Sequence, residues 1–436
     1  MPFIIPPNDP VYGPQGKNCH DFKRSIAGQR PNCALGPRVH INILTSPMDA
    51  NFIYGSTKAV AHHLRMFQGG QMKVWHKFDG LKPLLPLQHE SPDLECSRRP
   101  RAMFCFLAGD IRANEQIHLT VLHTIYVRDH NRIANELAQQ NPHWDDEKLY
   151  QEARHITAAI VQHITMTEWL PLLIGREAMI MNNLTESNGY WYGYDSTAHT
   201  SPSQAFTTAA FRVGHTFIQG HVNRYNGQHQ YLGSHGLREL LRHPFILYEP
   251  GKIDEFLLGL VDTPAQQPDS YITKEVAGHL FQRDNEKVGL DLPSINLMRA
   301  REQGVPGYNF YREWCGFRRA SKFEDLIGMV TNTTAYLYST LYAHPDDIDL
   351  WSGGISEIPL PNALVGPTFA CIIGRNFANI KKGDRFWFEN GGMLSSFTPA
   401  QLRQIKRTSQ AKLLCDNADN IQTIQRDVLK QAHPKT

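Results

Sequence analysis

Helical periodicity dominates this chain, and that restricts it to a mainly α architecture. Between residues 115 and 138, Leu119, Leu122, Tyr126, Ile133 and Leu137 fall on one stripe of a helix. Residues 145–169 follow Pro142 and open on Asp145, Asp146 and Glu147, carboxylates that suit a helix N-terminus. Their stripe is Leu149, Ala153, Ile156 and Ile160. Two further helices are predicted over 203–222 and 323–343, the latter with Leu326, Val330, Leu337 and Leu341 on one face. Strand signals are sparse, although 384–388 fits a short strand or an extended buried run. Residues 1–100 are rich in Pro, Gly and Asn and read as loops with short helices. Long loops in a folded domain are often functional.

No linker or internal repeat divides the 436 residues, so one domain over 1–436 is expected. The net charge of +2 and the short basic clusters, such as Arg98, Arg99 and Arg101, do not suit nucleic-acid binding. No apolar run is long enough to span a membrane. The first residues show neither the basic nor the apolar region of a signal peptide. Of seven cysteines, Cys19/Cys33 and Cys96/Cys105 suit local bridges, Cys315/Cys371 a distant one, and Cys415 is left over. Free thiols in a cytosolic chain are the alternative. Two sequons, at Asn183 and Asn332, would carry glycan only in a secreted chain.

The 21 histidines form no His-Glu-x-x-His motif, and there is no Cys-x-x-Cys, nucleophile elbow or phosphate loop. Three constellations remain. Arg112 and Glu115 are three apart and share a helical face; by spacing alone the commoner outcome is a surface ion pair. His215 sits within the apolar run 211–218, where a histidine is more often a core residue than a metal ligand. Residues 45–51 (Thr-Ser-Pro-Met-Asp-Ala-Asn) place oxygen donors at every second position, a spacing that either wraps a hard cation or closes an Asx turn.

In order and wording, these segments resemble the animal haem peroxidase family. The match runs through 106–115 (Phe-Leu-Ala-Gly-Asp-Ile-Arg-Ala-Asn-Glu), 122–134 (Leu-His-Thr-Ile-Tyr-Val-Arg-Asp-His-Asn-Arg-Ile-Ala) and 211–219, then 292–299 and 304–309. It continues through 349–354, 370–374, 383–387 and 415–417, and is nearest in wording to the peroxidasin and peroxinectin branch. The resemblance implies a mainly α fold with long irregular loops and little β, built around haem. It implies His215 as the proximal iron ligand, with Asn296 behind its ring. Arg112 would be the distal catalytic cation, and Glu115 the carboxylate esterified to haem. Gln116 replaces a methionine that forms a sulfonium link elsewhere in the family. Arg212 and Arg299 would pair with propionates. Thr45, the Pro47 carbonyl, Asp49 and Asn51 would hold calcium.

The family also carries a helix with Gln-x-x-Asp-His-Asp that supplies the distal histidine, a second haem ester and a calcium ligand. That motif would precede the segment resembling 1–13, and these residues contain no match to it. The chain is therefore expected to be an N-terminally truncated catalytic domain. The dipeptide His20-Asp21 matches a later loop instead. The implied function is oxidation of a halide or a phenolic or organic donor by hydrogen peroxide, in an extracellular setting. The contrasting expectation is a catalytically impaired, secreted module for matrix or adhesion contacts. A dioxygenase would need a tyrosine beside the haem, which the sequence does not place.

Overall fold

The computed structural model describes residues 2–91, 96–97 and 99–432. Its longest element is the helix Ile117–Gln140. Gln116 caps it: its Oε1 accepts from the backbone N–H of His118 at 2.7 Å and of Leu119 at 3.3 Å. A tight turn, Ile111–Asn114, leads in, capped by Asp110. Asn114 is buried and clasps the Phe106 backbone on both sides, its Oδ1 accepting at 2.9 Å and its Nδ2 donating at 2.7 Å. The buried face of this helix is Ile117, Val121, Ile125 and Ile133. Of the expected stripe, Ile133 is buried, Leu122, Tyr126 and Leu137 pack partly, and Leu119 opens onto a cavity.

The helix Asp146–Ile164 begins as expected, with Asp145 as cap and Asp146 and Glu147 in its first turn. Both of those carboxylates also hold Arg65. Leu149, Ala153 and Ile160 are buried along it. A wide turn, Thr165–Trp169, joins it to Leu170–Ile174.

Two predicted helices are interrupted. Residues 203–222 form a short helix, Gln204–Thr208, a tight 3-10 run, Ala210–Phe217, and the start of strand β3, His221–Tyr225. The break falls at Ala209, whose φ of −134° and ψ of −71° are not helical. Residues 323–343 are cut at Gly328, whose φ of +86° no continuing helix can adopt. The break resets the helical phase, so Leu326 and Val330 are buried while Leu337 and Leu341 are exposed. In Asn332–Leu341 the buried positions are Ala335 and Tyr338 instead. Residues 384–388 form turns rather than a strand, with Trp387 and Phe388 buried.

Sheet content is small among the described residues. The two-stranded pairs are β1 (Pro2–Ile4) with β2 (Cys19–Asp21), β3 with β4 (Tyr231–Gly236), and β5 (Ala277–Leu280) with β6 (Leu290–Asp291), all antiparallel. The helix Lys252–Asp262 lies close against β3: a Cβ added at Gly259 would collide with Asn223 O.

Apolar side chains gather into two main cores. One surrounds Ile117–Gln140 and includes Tyr54, Phe106, Phe256 and Leu257. The other surrounds the helix Pro367–Gly383 and includes Leu170, Val213, Phe369 and Phe388. Each fully buried Leu or Phe contributes about 1.5–3 kcal/mol. Bridges join Cys96 to Cys105 and Cys315 to Cys371, as expected. Cys19 and Cys33 do not pair: Cys19 lies exposed in β2, while Cys33, in a tight turn, accepts from Gln29 Nε2 at 2.8 Å. Cys415 is free. Among the described residues no helix is long and apolar enough to cross a membrane.

Candidate haem site

The Ala210–Phe217 turn and the residues that open Ile117–Gln140 line one cavity, with a seam between them. Ala210 and Val213 anchor the turn in one core, and Ile117 anchors the helix in the other. A cavity of about 550 Å³ lies at this seam. His215 and Glu115 both line it, with apolar walls from Leu119, Phe217, Leu292 and Ile295.

Behind His215 stands Asn296, fully buried on the helix Leu292–Glu302, with Nδ2 3.0 Å from His215 Nδ1. Arg212 Nη1 donates to Asn296 Oδ1 at 2.9 Å. Burial and the Arg212 charge push the His215 imidazole down to about 4, so the ring is neutral at physiological pH. Burial and the neighbouring Arg299 charge pull Arg212 down to about 10. Arg299 donates to Lys23 O at 3.0 Å and to Glu302 at 3.1 Å, and lies over the Phe22 ring. Two guanidiniums that repel one another favour an anion beside them.

Glu115 is partly buried, and burial raises its carboxyl above the ordinary range against the pull of Arg242 and Arg112. Arg112 pairs with Asp110 rather than with Glu115, through Nη2–Oδ2 at 2.6 Å and Nε–Oδ1 at 3.0 Å. Its side chain is 57% exposed and is not among the residues lining the cavity. His20 packs 4.5 Å from Tyr12, beside β1, and is likewise not a lining residue.

His118 and His221 also line the cavity and were not singled out from the sequence. For His118 a signal existed in its spacing, three residues beyond Glu115, although the extended Gln116 between them keeps the two off one helical face. Gln116 Nε2 meets the His118 Nδ1 at 3.0 Å, and the ring's Nε2 is enclosed without a partner among the described residues.

The residues fit haem on local chemistry. A neutral imidazole backed by a buried amide is a suitable iron ligand. A Cβ added at Gly214, next to His215, would meet no atom within 4 Å, so space is open there. The 45–51 loop is closed by its own hydrogen bonds. Thr45 Oγ1 donates to Asp49 Oδ1 at 3.0 Å, Asp49 N to Pro47 O at 2.9 Å, and Asn51 Nδ2 to Thr45 Oγ1 at 2.7 Å. Its donors are hard oxygens suited to calcium, although the Asn51 amide would have to turn to offer its oxygen. Among the described residues no group of three or more His, Cys, Asp or Glu side chains could hold a metal ion.

The family model for animal haem peroxidase matches residues 1–429. Peroxidasin from Drosophila melanogaster is 38% identical over 98% of this chain, which spans 28% of that protein. The Homo sapiens peroxidasin homolog is 38% identical, with 98% of this chain and 29% of that protein covered. A Drosophila melanogaster peroxidase is 36% identical over 98% of this chain and 62% of its own length. The chain thus spans under two thirds of each of these relatives. Among solved structures, peroxidase A from Dictyostelium discoideum superposes with a TM-score of 0.84 at 28% identity, covering 98% of this chain and 81% of that one. The Oryza sativa fatty acid alpha-dioxygenase shares the fold at a TM-score of 0.77 and 18% identity, covering 97% and 71%. With a matching sequence model over nearly its whole length and a shared fold, the chain belongs to the animal haem peroxidase family.

Proposed function

We propose that the cavity at the seam holds haem, and that this chain is the haem-bearing part of a peroxidase that uses hydrogen peroxide to oxidise a halide or a phenolic donor. The observation that carries this reading is His215, a neutral imidazole braced by a fully buried asparagine and lining the same cavity as Glu115. Bound haem would supply an iron centre able to exchange electrons with peroxide and donor.

The chain's own residues bind and orient. His215 holds the metal, and Asn296 holds the ring. Arg212 and Arg299 offer positive charge to the porphyrin carboxylates. Glu115, with its carboxyl raised by burial, would form the ester link. Arg112, paired with Asp110 and outside the cavity lining, would have to leave that partner to supply a cation for charge developing on peroxide. Calcium at Thr45, Pro47, Asp49 and Asn51 would tie the loop. Two disulfides favour an oxidising, extracellular compartment.

The test is optical. Purified chain supplied with haem should show the Soret spectrum of histidine-ligated iron and oxidise a phenol when peroxide is added. His215→Ala should abolish that spectrum; unchanged ligation in this variant would refute the assignment. Ligation without turnover would instead favour a haem-binding module for matrix or adhesion contacts.

A further inference from the structure

If His215 is the iron ligand, the hydrogen bonds behind its ring impose a condition on ligation. A ligating nitrogen must offer a bare lone pair. Asn296 splits its amide between two partners: Oδ1 accepts from Arg212 Nη1 at 2.9 Å, and Nδ2 stands 3.0 Å from His215 Nδ1. An amide NH₂ only donates, so Nδ1 is the acceptor, and the neutral ring carries its proton on Nε2. In that tautomer neither nitrogen is free, since one faces the amide and the other holds hydrogen.

Ligation of a neutral ring through Nε2 needs the proton on Nδ1, and Nδ1–H then needs an acceptor. The amide can offer Oδ1 by turning over. Its Nδ2 would then face the Arg212 guanidinium, donor against donor, at hydrogen-bond distance. The amide is therefore locked while Arg212 stays. Apart from Asn296, Arg212 is held by one neutral carbonyl, Thr207 O, at 2.9 Å. It has no carboxylate partner among the described residues, and Arg299 repels it.

We propose that Asn296 is a two-position latch set by Arg212. With the guanidinium on Oδ1 the His215 ring cannot ligate iron as a neutral imidazole; a carboxylate that draws the guanidinium away lets the amide turn and bares Nε2. One proton leaves Nε2 for solvent and one is taken up at Nδ1, so the ring charge is unchanged. The anions that enter the cavity with the metal are the porphyrin's own carboxylates. Ligation is thereby conditional on a carboxylate-bearing porphyrin, and Arg212 and Asn296 act as positioning residues. This inference rests on the haem reading but can fail separately from it.

The first experiment needs no haem. The full chain, labelled with ¹⁵N-histidine, is read by long-range ¹H–¹⁵N correlation, with the His215 signal assigned by its loss in His215→Gln. The expected wild-type ring has Nδ1 bare. Asn296→Asp, whose carboxylate only accepts, should move the proton to Nδ1. A wild-type ring protonated at Nδ1 overturns the latch and leaves the haem reading standing.

The second experiment compares ferric protoporphyrin IX with its dimethyl ester. Wild type should form the histidine-ligated spectrum with the diacid and ligate the ester about tenfold less well. Asn296→Asp should ligate both alike, although Arg212 is still present. Arg212→Met, which frees the amide without adding charge, should do the same and guards against misfolding of the first variant. Equal ligation of both porphyrins by wild type, or discrimination persisting in both variants, overturns the latch. If no variant ligates the diacid, the haem reading falls, and the tautomer measurement still decides the latch.

Discussion

Among the described residues the most heavily bonded buried carboxylate is Glu357, and it belongs to the scaffold rather than to the cavity. It accepts from Tyr308 Oη at 2.6 Å, Arg312 Nη1 at 2.9 Å, and the Thr368 backbone N–H and hydroxyl at 2.8 and 2.6 Å. Arg312, Tyr308 and Thr368 are all buried. Removing one member of such a pair strands the other charge, at a cost of about 3–5 kcal/mol. Glu357→Met should therefore lower unfolding free energy by about that amount in urea. The double variant Glu357→Met/Arg312→Met should recover part of the loss; a double variant as unstable as the sum of the two singles would contradict this account. The same logic separates the site arginines. Arg299 has Glu302 beside it, whereas among the described residues Arg212 has only neutral partners and is the one free to accept an anion.

At the level of elements, the Lys252–Asp262 helix shows how closely backbone packing controls the cavity wall. Gly259 lines the cavity and abuts Asn223 O. Gly259→Ala must push the helix from β3, an overpacking that costs about 1–3 kcal/mol. A melting temperature unchanged from wild type would show that the contact is slack. The C-terminal segment is held differently. His229 Nδ1 meets Asp262 Oδ2 at 2.8 Å, and Nε2 meets Thr423 O at 2.8 Å. Two acceptors suit a ring with both nitrogens protonated. Although burial opposes it, the Asp262 and Thr423 bonds raise the His229 pKa above its ordinary value of 6.5. A raised folded-state pKa means the stabilisation is full below about 6.5 and is lost as pH rises through the folded value. Hydrogen exchange around Thr423 should accordingly speed up at alkaline pH beyond the intrinsic rate increase, and His229→Gln should remove that extra dependence. Persistence of the dependence in the variant would count against the clamp.

For the whole molecule, the cavity lined by His215 and Glu115 has a thermodynamic consequence. A ligand that binds only the folded chain adds about 2.7 kcal/mol at a free concentration 100-fold above its dissociation constant. Haem should therefore raise the melting temperature of the wild-type chain, and by less in His215→Ala. Equal shifts in both would place the haem elsewhere than the seam.

Much of this protein was legible in one dimension. Local chemistry is carried by neighbours in sequence, so the acids at Asp145, Asp146 and Glu147 that open a helix, and the scarcity of strands, could be read directly. Family membership could too, because its motifs are continuous runs. Helix breaks at Ala209 and Gly328 could not, since competition between local propensity and packing decides them, and they shifted which leucines are buried. Nor could the pairing of Arg112 with Asp110, or the free state of Cys19 and Cys33, because several partners of similar spacing were available. Above all, the sequence determined that His215 and Asn296 exist, 81 positions apart. Only the tertiary structure set Asn296 against the ring with Arg212 on its other side, because a hydrogen bond depends on distance and direction in space and not on position along the chain.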